Sequence, residues 1–196
     1  GPMNRMSYTI SYYILNPFVR LLWPFRTYGK ENKPAGAALV CANHQSNLDP
    51  ALLAAAFGTK TQMRFMGKKD LFTVPVLGKW MLAMGAFPID RNEADITAIR
   101  TAMKFLKAGE YVMMFPEGTR VSPEDSVAAK TGAVRIAGKL QVPILPVYIE
   151  STHKVFHFSR LYIGEPYTPE AAHTKDDYAR LSQELMDKIH ALEPKK

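Results

Sequence analysis

The chain has 196 residues, 47% of them hydrophobic, and a formal net charge of +7. That size suits one domain, and the apolar content excludes intrinsic disorder. The single cysteine, Cys41, excludes an intrachain disulfide framework and fits a reducing compartment. The positive balance favours anionic partners such as phosphorylated substrates or anionic membrane surfaces. Long basic blocks and nucleic-acid fingerprints are missing, so nucleic acid is not an expected partner.

Gly1-Pro2 ahead of Met3 reads as a tag-cleavage remnant and is excluded from the fold reasoning. Tyr8 to Phe25 is rich in aromatic and aliphatic residues but is interrupted by Asn16, Pro17, Arg20 and Pro24. Spanning a bilayer takes about 20 continuous apolar residues, so this segment is expected to lie on a membrane rather than cross it. No small-residue cleavage site follows it, which argues against a signal peptide. Asn16-Pro17 is expected to close one short helix and open another, giving an amphipathic helix pair. Ile10, Ile14, Phe18, Leu21, Leu22 and Phe25 have helical apolar spacing, and Trp23, Tyr12, Tyr13, Arg20 and Arg26 suit a lipid–water interface. The competing expectation is that this pair packs on the core of its own domain. Residues 3–30 are assigned to these helices and 31–196 to the body of the protein.

From Ala37 onward, strand-like and helix-like segments alternate. The expected strands are 37–42, 62–66, 111–115, 144–149 and 157–163, the last as a candidate edge strand. The expected helices are 51–57, 76–84, 95–106, 130–140 and 177–192. Alternation of this kind predicts an α/β fold with a mixed, largely parallel sheet flanked by helices.

Chemistry-bearing residues follow several of these strands. His44 and Asp49 bracket the loop after the first strand. A histidine accepts protons near neutral pH, and a carboxylate can fix its tautomer if the chain turns between them. Asp49-Pro50 reads as an N-cap and first helical residue, which supplies that turn. Phe115-Pro116-Glu117-Gly118-Thr119-Arg120 follows the strand at 111–115. Arg120 has a planar fork of donors suited to phosphate, and Gly118 lets a ligand approach the backbone. Gly85 to Arg91 places a second candidate anion ligand, Arg91, after a short apolar stretch. Lys68 follows the strand at 62–66. Val142-Pro143-Ile144-Leu145-Pro146 has two prolines that do not suit a central strand. It reads either as a wall lining a groove or as a core strand with an odd entry. His153 and His157 stand four apart in a β-prone segment lacking the Glu of metalloproteases, so no metal site is expected.

The blocks at His44–Asp49, Gly85–Arg91, Phe115–Arg120 and Val142–Pro146, in this order and spacing, resemble the glycerolipid acyltransferase family. The resemblance covers about residues 38 to 165. Val121 stands ahead of Ser122 where many relatives continue directly with Ser, and Ala129 precedes Lys130-Thr131-Gly132 where relatives often have Phe. The resemblance implies acyl transfer from acyl-CoA or acyl carrier protein to lysophosphatidic acid, forming phosphatidic acid in phospholipid synthesis. It implies His44 as general base oriented by Asp49. Glu117, Gly118 and Arg120, with the intervening Thr119, would bind the acceptor's glycerol phosphate, helped by Arg91 and Lys68. It implies no metal and no resident cofactor, and a place at the cytoplasmic face of the cell membrane, peripheral or monotopic. The alternatives are another lysolipid or glycerol-3-phosphate as acceptor, or a hydrolase using Ser46 or Cys41 with His44. The chain has no Gly-x-Ser-x-Gly elbow, which counts against an α/β-hydrolase.

Overall fold

The computed structural model describes residues 4–43, 46, 48–90, 96–116 and 123–195, with the backbone alone over 123–130. At its centre lies β2 (Ala38–Ala42), in which all five residues are buried. A strand buried on both faces is a continuous apolar run, which the sequence Ala-Leu-Val-Cys-Ala supplies. Leu39 and Cys41 enter one core, and Val40 and Ala42 enter the other. On its two sides β2 pairs in parallel with β5 (Tyr111–Met114) and β6 (Ile144–Glu150). Beyond β5 come β3 (Met63–Lys68) and then β4 (Ala86–Ile89), both parallel. Beyond β6 comes β7 (Ser159–Ile163), antiparallel to it, and β1 (Phe25–Tyr28), parallel to β7. The order is therefore β1-β7-β6-β2-β5-β3-β4. The mixed, mainly parallel α/β sheet expected from the alternation is present.

Helices cover both faces. α4 (Ile96–Lys107), α5 (Pro123–Leu140) and α6 (Lys175–His190) pack on one. α4 buries Ala98, Ala102 and Leu106, and α6 buries Leu181, Leu185 and Ile189, each at every fourth residue, so each helix presents one apolar stripe. α2 (Asp49–Phe57) covers the other face with Leu52, Leu53 and Phe57. α1 (Arg5–Leu22) lies against α2 and α3 (Leu77–Ala83).

α1 departs from the expectation of a helix pair: it is one continuous helix with Pro17 inside it. Proline removes only its own N–H, whose acceptor would be the carbonyl of Tyr13. Tyr13 is exposed and lies on the solvent side, so the lost bond does not fall in the core and the helix continues. The helix ends at Trp23, whose backbone N–H reaches Val19 O, and Phe25 is already a buried strand residue. Met6, Ile10, Tyr13, Ile14, Phe18 and Leu21 form an exposed apolar stripe along α1. The opposite side packs inward through buried Tyr8 and through Val19 and Trp23, which join the core beneath α2. Among the described residues no helix is long and apolar enough to cross a membrane.

Two prolines lie inside strands. Pro88 sits in β4, an edge strand, where a missing N–H disrupts little. Pro146 sits in the central β6, opposite Cys41. Its carbonyl accepts the N–H of Gly164 at 2.8 Å, one residue past the end of β7. The missing N–H thus falls where the β6–β7 ladder stops and costs one terminal bond. Residues 144–150 form a core strand, not an irregular groove wall. β1 and β4 are strands that the periodicity did not indicate, and β7 is one strand in from the edge.

Candidate active site

The chain runs from β2 through α2 to β3 on one side of the sheet, and from β5 through α5 to β6 on the other. β2 and β5 are neighbours, yet their onward connections leave in opposite directions along the sheet and over opposite faces. Such a topological switch point opens a crevice at the carboxyl ends of the two strands, where open α/β sheets bind ligands. The His44–Asp49 block follows β2, and the Phe115–Arg120 block follows β5. Lys68 ends β3, and Arg91 follows soon after β4. All four strands are parallel and adjacent, so their carboxyl ends share one edge, about 14 Å across at ordinary strand spacing. His44, Arg91, Glu117, Gly118, Thr119 and Arg120 themselves lie outside the described residues.

Asn43, the last residue before His44, is 1% exposed. Its amide Nδ2 donates to Ile149 O at 2.9 Å, and its Oδ1 accepts from Ile149 N–H at 2.7 Å. The side chain therefore mimics a further step of the β2–β6 ladder and pins the start of the loop to β6. Nothing in the spacing of the sequence singles out Asn43. A polar residue directly after a buried strand was the available signal.

Asp49 is likewise 1% exposed. It is the first residue of α2, with Leu48 at the N-cap position, so the helix starts one residue earlier than an Asp49 cap requires. Its carboxylate turns back: Oδ2 accepts the Ser46 N–H at 2.8 Å. The Asp49 N–H donates to Ser46 O at 3.1 Å, and Ser46 Oγ accepts the Leu48 N–H at 3.1 Å. These bonds close a turn from Ser46 to Asp49 at the start of α2. The helix N-terminus also favours the carboxylate charge. The other oxygen, Oδ1, lies 2.6 Å from His153 Nε2. His153 comes from the loop after β6, and its side chain is 16% exposed. Sequence spacing considered it only as a metal ligand.

Lys68 lies 3.7 Å from Asp70, with both side chains largely exposed, a pairing worth little in water. Gly85, which opens the Gly85–Arg91 block, has φ +92, the left-handed conformation in which glycine commonly ends a helix, here α3. Cys41 is fully buried, and burial pushes its thiol well above the usual range. It is packed as a small apolar residue and is not available as a nucleophile.

A sequence model of the Acyltransferase family matches residues 24–150, a span that contains all four motif blocks and ends with β6. The chain is 35% identical over 179 residues to the 1-acyl-sn-glycerol-3-phosphate acyltransferase of Bacillus subtilis, covering 87% of this chain and 88% of that protein. It is 37% identical over 152 residues to the enzyme of the same name from Streptococcus pneumoniae, covering 74% of this chain and 54% of that one. The crystal structure of the 1-acyl-sn-glycerophosphate (LPA) acyltransferase from Thermotoga maritima superposes with a TM-score of 0.71 at 24% identity, covering 98% of this chain and 82% of that one. That likeness extends the shared fold to α1, β7 and α6, outside the matched segment. By the matched span and by these relatives, the chain belongs to the acyltransferase family.

Proposed function

We propose that the protein moves a fatty acyl group from a thioester, acyl-CoA or acyl carrier protein, to the free hydroxyl of 1-acyl-glycerol-3-phosphate, yielding phosphatidic acid. The observation that carries the reading is that β2, β5, β3 and β4 are adjacent and parallel, so they end at one sheet edge, where β2 and β5 form a switch point beside the buried carboxylate of Asp49. The names of the Bacillus and Streptococcus relatives support the choice of acceptor.

In this reading His44 takes the proton from the acceptor hydroxyl as its oxygen attacks the thioester carbonyl. The tetrahedral oxyanion then collapses and expels the thiolate. That thiolate takes the proton back from His44, so the products are the new ester and a free thiol. Asp49 holds the imidazole in the required tautomer and stabilises its charged form. Because the acceptor brings its own nucleophile, no acyl-enzyme is needed. Arg91, Arg120 and Lys68 hold the acceptor phosphate, and Glu117, Gly118 and Thr119 shape the glycerol end of the same site. The reaction uses no metal or resident cofactor.

The acceptor is a membrane lipid, and the exposed stripe of α1 suits a surface that supplies it. Val155, Phe156 and Phe158 add exposed apolar side chains next to the end of α1, where the Phe156 N–H donates to Leu22 O. The protein then sits peripherally on the cytoplasmic face of the membrane through residues 8–25. Phe18 and Leu21 are 61% and 67% exposed, so replacing both with Glu removes little packing. Sedimentation with anionic phospholipid vesicles is expected to show binding weakened about tenfold or more, at an unchanged melting temperature. Equal binding by the variant and the parent excludes α1 as the docking surface.

The proposed activity is tested by incubating the protein with acyl-CoA and a panel of acceptors, followed by mass spectrometry. The panel contains lysophosphatidic acid, other lysolipids and glycerol-3-phosphate. Acylation of lysophosphatidic acid ahead of the others is the expected result. Preference for another acceptor reassigns the substrate. Thioester hydrolysis with every acceptor left unacylated overturns the transferase reading.

A further inference from the structure

We propose that His153 is a positioning residue for this transfer, holding the Asp49 carboxylate in the orientation that His44 requires. The inference rests on the roles given to His44 and Asp49 above. Asp49 is 1% exposed, and its Oδ1 lies 2.6 Å from His153 Nε2, in the short range typical of bonds to a charged partner. The Ser46 N–H occupies Oδ2 at 2.8 Å. A bond to each oxygen fixes the rotation of the carboxylate about its Cβ–Cγ axis. A carboxylate has about four lone-pair sites, so it can hold these partners together with the N–H of a catalytic imidazole.

The loop around His153 is built to hold it. Its φ is +58, a left-handed conformation that non-glycine residues seldom adopt and that persists only where its surroundings impose it. The His153 N–H donates to Ser151 Oγ at 3.0 Å, and Ser151 Oγ lies 2.7 Å from Ser159 Oγ, at the start of β7. The His153 carbonyl accepts from Trp23 Nε1 at 3.1 Å. Trp23 is the C-cap of α1. His153 is thus clamped between β7 and the end of the proposed lipid-facing helix. It lies just beyond residue 150, where the family match ends.

Steady-state kinetics with acyl-CoA and lysophosphatidic acid test the role, using His153→Ala, His153→Gln, Asp49→Asn, His44→Ala and the Asp49→Asn/His153→Ala double variant. Losing one hydrogen bond to the carboxylate is expected to lower kcat about tenfold in His153→Ala, with KM values within about twofold of the parent. Glutamine can donate to Asp49 from a similar position but cannot relay a proton. His153→Gln is therefore expected to recover kcat to within about threefold of the parent. In the Asp49→Asn background His153→Ala is expected to add less than about twofold, because the two residues act as a unit. An unchanged kcat in His153→Ala, or equal losses in the alanine and glutamine variants, overturns the proposal. So does a His153→Ala loss as deep as that of His44→Ala without rescue, since that makes His153 the base itself. Near-parental turnover in both His44→Ala and Asp49→Asn is a different failure, that of the active-site reading. A silent His153→Ala beside a crippled Asp49→Asn refutes the positioning role alone.

Discussion

Replacing His44 with alanine is expected to lower kcat by about 10³-fold, within the usual contribution of a positioned general base. The acceptor hydroxyl is a weak nucleophile while it keeps its proton, and the proposed site has no other group assigned to remove it. KM for the thioester is expected to stay within about threefold, because His44 acts on the proton in flight rather than on the bound donor. Asp49→Asn is expected to lose about 10²-fold in kcat, since the amide cannot stabilise the charged imidazole. The asparagine also has to replace a carboxylate that meets both the Ser46 N–H and His153. An amide can satisfy one of these as acceptor and meet the other only as donor. A destabilisation of about 1–2 kcal/mol therefore accompanies the kinetic loss. Thermal melting separates the two effects. His44→Ala retaining more than a tenth of the parental kcat removes His44 as the base.

Asn43→Ala is expected to be the costliest single change around the loop for stability. Asn43 and Ile149 are each 1% exposed, and the asparagine amide bonds both the N–H and the C=O of Ile149. Alanine leaves both backbone groups of Ile149 buried without these partners, at about 1–3 kcal/mol each, so a loss near 3 kcal/mol follows. For a chain of this size that corresponds to a melting temperature lower by roughly 9 °C. Asn43→Asp is expected to do no better. Its carboxylate can accept the Ile149 N–H, but the Ile149 carbonyl then faces a second acceptor and a buried charge. A shift of less than about 2 °C for Asn43→Ala means that the clamp to β6 contributes little. Activity in the surviving folded fraction is also expected to fall, because Asn43 sets where the chain leaves β2 toward His44.

The contrast between Asn43 and Cys41 shows what a side chain's type reveals. Cys41 is apolar enough in the run Ala38–Ala42 to be read as core, and it is fully buried. Asn43 is polar and follows the run, so the pattern marks only the strand's end. Its partner Ile149 is 106 positions away. His153 is a sharper case. Its neighbours in sequence suggest only a β-prone segment, and its value lies in reaching Asp49, 104 positions earlier.

The sequence by itself determined the α/β class, the boundaries of the buried strands to within a residue or two, and the four motif blocks. Burial on two faces demands continuous apolar runs, amphipathic helices demand a repeat near 3.6, and loop chemistry is carried by a few residue types at short spacing. All of these are local. Tertiary structure alone decided that β5 inserts between β2 and β3, creating the switch point, and that β1 joins the far edge beside β7. It also decided that α1 continues through Pro17, at a turn where Tyr13 lies on the solvent side of the helix. The bonds from Asn43 to Ile149 and from His153 to Asp49 belong to the same class. Each depends on which distant segments the core brings together, and periodicity records whether a side chain is buried but not against what.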